Sequence, residues 1–242
     1  MLIKNIFWGI NFFIINLFMI NYTYKKSKLS DIGLIFENLK GVPYFNTNDG
    51  FTIPMLWLII NFFVIFNLAN YTYEDFKNNG TNILPRVKNV KFFYFSKVFW
   101  SIYNTLIYYI VLFGVMEIIS KIFLYKSAKF INIYNININK DELIIRLFLL
   151  YFTTSIALLL LQNSISLILK PVYSCLIILL LIAISIFIIW NFLPGQQCLI
   201  LRQEPFDNIH GLVFKTSLLY NFILSFFSII MGYIIISKKD IL

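Results

Sequence analysis

Residues 71–100, YTYEDFKNNGTNILPRVKNVKFFYFSKVFW, are the longest polar, charge-dense interruption between two strongly apolar segments, and their reading decides the fold. Glu74 and Asp75 follow one apolar run; the cations Lys77, Arg86, Lys88, Lys91 and Lys97 come next; and four aromatics in a row, Phe92 to Phe95, lead into the following run. A solvated loop with aromatic anchors at a membrane face has this composition. So does a short helix lying on the membrane surface to meet a soluble partner.

The flanking runs belong to a chain of 242 residues that is 60% hydrophobic and 13% charged, with mean hydropathy +0.79. A soluble domain sits nearer half apolar and a quarter charged, so the composition implies an integral membrane protein. About 20 apolar residues cross a hydrocarbon core of about 30 Å, and these runs are too continuous for the alternation of a lipid-facing barrel. Backbone groups in lipid must be satisfied within the segment. The expectation is therefore an all-α polytopic helical bundle, with 1–242 as a single transmembrane domain.

Six transmembrane helices are expected, at about 6–22, 54–70, 98–123, 143–169, 172–192 and 212–236, with 71–97 as the loop between the second and third. The first follows Lys4 as in a signal peptide but has no small-residue cleavage site after it, so a retained helix is expected. Residues 23–53 read as a polar loop containing Gly33, Gly41, Pro43 and the turn-like Asn48-Asp49-Gly50. Pro54 suits the first turn of the second helix, where its missing N–H costs nothing. The alternating INIYNININ at 131–139 has a period of two, for a short surface strand or no regular structure. Lys170-Pro171 is a helix stop and restart. Six spans put both termini on one side, but the cations divide too evenly between the two sides for the positive-inside rule to choose an orientation.

The formal charge of +9 is spread over loops and helix ends. A nucleic-acid binder concentrates its charge on one face, so the cations read as partners of anionic lipid and nucleic acid is excluded. Two cysteines make no disulfide framework. There is no GxxxxGK[ST] loop, no HExxH, no CxxC pair, and one histidine, His210. The chain therefore cannot hydrolyse ATP in the P-loop manner and is short of metal ligands; neither an enzyme nor a metal or cofactor carrier is expected. Glu117 lies inside an apolar span, which marks function by default, yet Lys121 at i+4 offers it an ordinary interfacial ion pair. Gln162, Asn163, Ser164 and Ser166 in the fourth span would either line a substrate path or bind helices to one another.

Three blocks carry a family likeness. The first is Asp75, Gly80, Arg86, the 92–95 aromatics, Ser96-Lys97 and Trp100; the second is LPGQQCLILR, ending at Arg202 in the last outer loop and followed by Gly211; the third is the terminal Lys-Lys-Asp-Ile-Leu at 238–242. On these the chain resembles the small six-span permeases of bacterial ABC-2-type transporters, in particular the group associated with bacteriocin and antimicrobial-peptide export or self-immunity. The usual Arg-after-Leu element appears here as Ile83-Leu84-Pro85-Arg86, with Pro85 intruding. Proline fits a first helical turn, so a short helix from 85 to about 94 remains compatible.

The resemblance implies a division of labour. The permease forms the path, and a separate cytoplasmic P-loop ATPase, carrying the ATP and Mg, drives it. The loop between the second and third helices would be the coupling element, placing Asp75, Arg86, Lys88, Lys91 and Lys97 against the ATPase and both termini in the cytoplasm of a bacterial plasma membrane. A second permease, another copy or a paralogue, would complete the transporter. On their own, Lys88 and Lys91 serve equally to meet lipid phosphates. An organelle-encoded subunit of a respiratory or ATP-synthase complex is the rival reading; the scarcity of mid-membrane ionisable residues counts against it.

Overall fold

The computed structural model describes residues 31–43, 54–68, 90–123, 130–133, 136–188, 190–207 and 210–238. The expected span 6–22 and the candidate residues Asp75, Arg86 and Lys88 lie outside the described residues. The described part is mostly helical: α1 (Asp31–Leu39), α2 (Met55–Leu68), α3 (Val90–Phe123), α4 (Lys140–Ser166), α5 (Pro171–Phe187) and α6 (Phe214–Lys238). A hairpin of β1 (Phe130–Ile133) and β2 (Ile136–Asn139) precedes α4, and two 3-10 turns, Pro194–Cys198 and Ile200–Arg202, lie between α5 and α6.

Local sequence explains most of the boundaries. Pro54 accepts from Leu58 N at 3.0 Å, opening α2 where a proline is tolerated. The period-two stretch pairs as an antiparallel hairpin with Phe130 opposite Asn139 and Ile133 opposite Ile136. Asn139 then caps α4, its side chain accepting from Asp141 N at 3.2 Å. Asp141 and Glu142 in the first turn complement the helix dipole. At the other end of α4 the chain turns through 167–170, and Pro171 starts α5.

Two segments differ from expectation. The third helix begins at Val90 rather than at 98, so Lys91, the aromatic block and Lys97 are the first turns of a continuous 34-residue helix rather than part of a loop. No glycine or proline interrupts 90–98, and Phe93, Tyr94 and Val98 pack with Leu160, Leu167 and Ile236, which fixes those turns against α4 and α6. The polar loop expected at 23–53 contains α1, whose Ile35, Phe36 and Leu39 are buried together with Val42. Its residues 32, 35, 36 and 39 follow the apolar spacing of a helix face.

Helix α4 is the hub: it packs most extensively on α6 and also touches α2, α3, α5 and the turn after α5. Three helices, α3, α4 and α6, are long and apolar enough to cross a membrane; the spans expected at 54–70 and 172–192 correspond to the shorter apolar helices α2 and α5. At about 1.5 Å per residue α3 is roughly 50 Å long, well beyond a hydrocarbon core of about 30 Å.

The clearest sign of a lipid environment is the orientation of α6. Its buried face is Ser217, Asn221, Ser228, Gly232 and Ile236, whereas Phe222 and Phe226 on the opposite side are 67% and 66% exposed. Water would drive those rings inward. In a bilayer the small and polar residues pack helix to helix and the rings face lipid tails.

Candidate functional site

Two constructions rich in polar groups lie at one end of the bundle. The first is the segment 193–203, LPGQQCLILRQ, every residue of which is buried. It folds under the C-terminal end of α5, a helix of 17 residues whose last carbonyls have no partner within the helix. Arg202, 1% exposed, donates from its two terminal nitrogens to Ser185 O at 2.7 Å and Ile186 O at 2.6 Å. The Gln196 side-chain amide donates to Ile188 O, and Gln197 Nε2 donates to Asn191 O at 2.7 Å. Gln203 Nε2 reaches Gln197 O and Ser217 Oγ, both at 3.1 Å. Irregular backbone buried in protein needs its hydrogen bonds supplied by protein, and these four side chains do so.

That segment is locked from a second direction. Leu201 N donates to Lys40 O at 3.2 Å, and Gly41, with φ of +72°, passes so close to Leu199 that a Cβ there would collide with its side chain. Tyr151 of α4 donates to Leu39 O at 2.6 Å, and the Tyr109 and Ser155 hydroxyls meet at 2.5 Å. Cys198 donates to Gly195 O at 3.3 Å, and burial pushes its thiol up to about 12.

The second construction is a half-open cleft of about 620 Å³ beside that segment. Ile136, Ile138 and Asn139 of β2, Glu142, Leu143 and Arg146 of α4, and Ile200 with 204–206 form its walls.

The opposite end of the bundle carries Lys91 and Lys97. Lys91 is exposed on the first turn of α3, with Nζ 5.6 Å from the centre of the Tyr233 ring. Lys97, 8% exposed, lies over the Phe93 ring at 5.1 Å. Tyr94 and Gly232 are in such close contact that a Cβ on the glycine would fall on the Tyr94 hydroxyl. Of the residues singled out for an ATPase surface, then, Lys91 and Lys97 are described and share this end; Asp75, Arg86 and Lys88 are not described.

No protein-family model, curated protein or solved structure matches the chain.

The remaining sequence candidates scatter. Glu117 stands on the exposed side of α3 and pairs with Lys121 at 2.7 Å. Gln162, Asn163 and Ser166 are buried in α4, where Asn163 Nδ2 donates to Ser101 Oγ at 3.0 Å and Ser166 Oγ to Asn163 O at 2.8 Å. Asn221 Nδ2 of α6 donates to Thr154 Oγ1 at 2.9 Å and Thr153 Oγ1 at 3.1 Å. None of the three α4 residues lines the cleft. His210 is exposed, its backbone N–H bonded to Asp207 Oδ1 at 3.1 Å. Among the described residues no group of three or more His, Cys, Asp or Glu is placed to hold a metal ion. Sequence reasoning passed over the cleft residues Glu142, Arg146 and Glu204. The i, i+4 spacing of Glu142 and Arg146 was a visible signal; Glu204 joins them only through the tertiary fold.

Proposed function

We propose that this chain is the transmembrane permease subunit of an ATP-driven transporter of the ABC-2 kind, in a bacterial plasma membrane with both termini cytoplasmic. Its cargo would be a peptide of antimicrobial type, exported or cleared. A separate cytoplasmic P-loop ATPase binds and hydrolyses ATP, and a second permease copy or paralogue completes the path.

The observation that carries this reading is the continuity of α3. A joint that transmits force must be stiff, and the cation-bearing turns of Lys91 and Lys97 run without a break into a helix long enough to cross a membrane. Those turns also pack on α4 and α6 through Phe93, Tyr94 and Val98. A pull on residues 90–97 therefore reaches the hub of the bundle through a continuous helix. The polar contacts between helices, Asn163 to Ser101 and Asn221 to Thr154, are of a kind that can exchange partners as helices rock.

The test is charge reversal at Arg86 together with Lys88. The double variant inserts and assembles but abolishes ATPase activity stimulated by the permease. Wild-type coupling in that variant would remove 71–97 as the transmission element. For the cargo, cells lacking the protein become sensitive to a peptide antibiotic or accumulate one; unchanged tolerance across a broad panel of such peptides contradicts export or clearance.

A further inference from the structure

We propose that the cleft between β2, the first turns of α4 and residues 200–206 binds an amphipathic cation: one amine or guanidinium on a compact apolar body. This does not depend on the transporter reading, since the site lies within this chain alone.

The shape suits a small ligand. A volume of about 620 Å³ falls in the range of about 300–1,000 Å³ typical of ligand sites, which are mostly apolar with a few converging polar groups. Ile136 and Ile138 stand two apart on β2 and so present one apolar face. Ile200, Pro205 and Phe206 add further apolar lining. The walls are fixed. Asn139 anchors the start of α4, Glu204 N donates to Leu212 O at 3.0 Å, Phe206 N donates to Gln203 O at 2.8 Å, and the Phe206 ring rests 5.3 Å from that of Phe36.

The charges decide which ligand fits. Arg146 is engaged on two sides, by Glu142 at 2.5 Å and by the Phe214 ring at 5.4 Å. That pairing neutralises Glu142. Glu204 forms no ion pair with any described residue, and its side chain is exposed at the cleft. The lining thus carries two carboxylates against one guanidinium, a local negative site in a chain of net charge +9. An anion is repelled, a neutral molecule gains only the apolar walls, and a cation with an apolar body satisfies both. Its charged group would take Glu204 while the body lies along Ile138 and Phe206.

The probe is dansylcadaverine, a primary amine on an aromatic body, titrated by fluorescence into the purified full chain in zwitterionic lipid nanodiscs, with empty discs as blank. Saturable binding is expected, with Glu204→Gln weakening it about fivefold, as for a solvent-accessible ion pair. The N-acetylated probe, which has lost its charge, should be weaker by a similar factor and indifferent to Glu204→Gln. Phe206→Ala should weaken both probes, and Glu37→Gln, which removes a carboxylate paired with Lys40 outside the cleft, should weaken neither. The proposal is overturned if wild type shows no saturable binding, if Glu204→Gln binds the amine as tightly as wild type, or if Glu37→Gln weakens it as much. Because no ATPase is present, none of these outcomes depends on coupling.

Discussion

Arg202 and Lys97 are both cations removed from solvent, 1% and 8% exposed, at opposite ends of one bundle, and they are held in opposite ways. Arg202 sits at the C-terminal end of α5 with its nitrogens on two backbone carbonyls, where the helix dipole favours positive charge. Lys97 lies two turns into α3 over an aromatic face, with Lys91 in the first turn, where the dipole disfavours a cation. One end places its charge where the fold most needs it. The other holds its two cations against aromatic rings, Lys91 by Tyr233 and Lys97 by Phe93. Two buried cations are thus held by different groups, backbone carbonyls for Arg202 and an aromatic face for Lys97.

Arg202→Met should have the largest effect. It removes two charge-assisted bonds and strands the Ser185 and Ile186 carbonyls, a cost of at least about 3 kcal/mol. The thermal midpoint in detergent should collapse, or no monodisperse protein should be recovered. Arg202→Lys keeps the charge but loses the two-pronged geometry and should fall between. A midpoint for Arg202→Met equal to wild type would break the comparison at its strong end.

Gly232→Ala tests how firmly the Lys97 end is tied down. Its new methyl would meet the Tyr94 hydroxyl, and overpacking of this kind costs about 1–3 kcal/mol. In a Tyr94→Leu background the same substitution should cost little, a coupling that a double-mutant cycle on thermal midpoints reads directly. Equal cost in both backgrounds would mean that α3 and α6 do not meet there, and the argument for a stiff α3 would weaken with it.

The contrast between the two ends also marks what was legible in the sequence. The apolar runs, the Lys170-Pro171 restart and the opening of α2 at Pro54 follow from local rules and could be read directly. The expected start of α3 at 98 missed because charge and aromatic clustering suggested a membrane face, whereas packing of Phe93 and Tyr94 on α4 and α6 extends the helix back to Val90. α1 was passed over because its nine residues sit among glycines, prolines and polar residues, although its apolar spacing is helical. Arg202 stood out as a loop cation, but its partners are carbonyls 16 and 17 residues earlier in the chain. The cleft depends on a hairpin, a helix start and a distant loop converging, which no sequence window contains.

Lys97→Met sets the weak end. The aliphatic stem is kept and the charge over Phe93 is lost, so a cost of about 1 kcal/mol is expected, well short of Arg202→Met. Under the proposed function it should nevertheless lower stimulated ATPase activity. Equal destabilisation by the two substitutions would erase the distinction between the ends.

The smallest effect lies at the Arg202 end and appears only with pH. Cys198 is buried beside Gly195, and burial raises its thiol to about 12, against 9.0 for the ordinary thiol; the Trp57 side chain and the local backbone oppose the rise without cancelling it. Below about 9 the thiol is protonated whether the chain is folded or not, so it contributes no pH dependence. Between about 9 and 12 the unfolded chain releases that proton and the folded chain retains it, so stability falls as pH rises. Cys198→Ala should therefore lose less of its thermal midpoint than wild type between pH 8 and pH 10. At pH 8 the folded wild type should resist maleimide until denaturant opens segment 193–203. Rapid labelling of Cys198 in the folded protein would mean that this segment opens readily, and the end assigned to stability would be the mobile one.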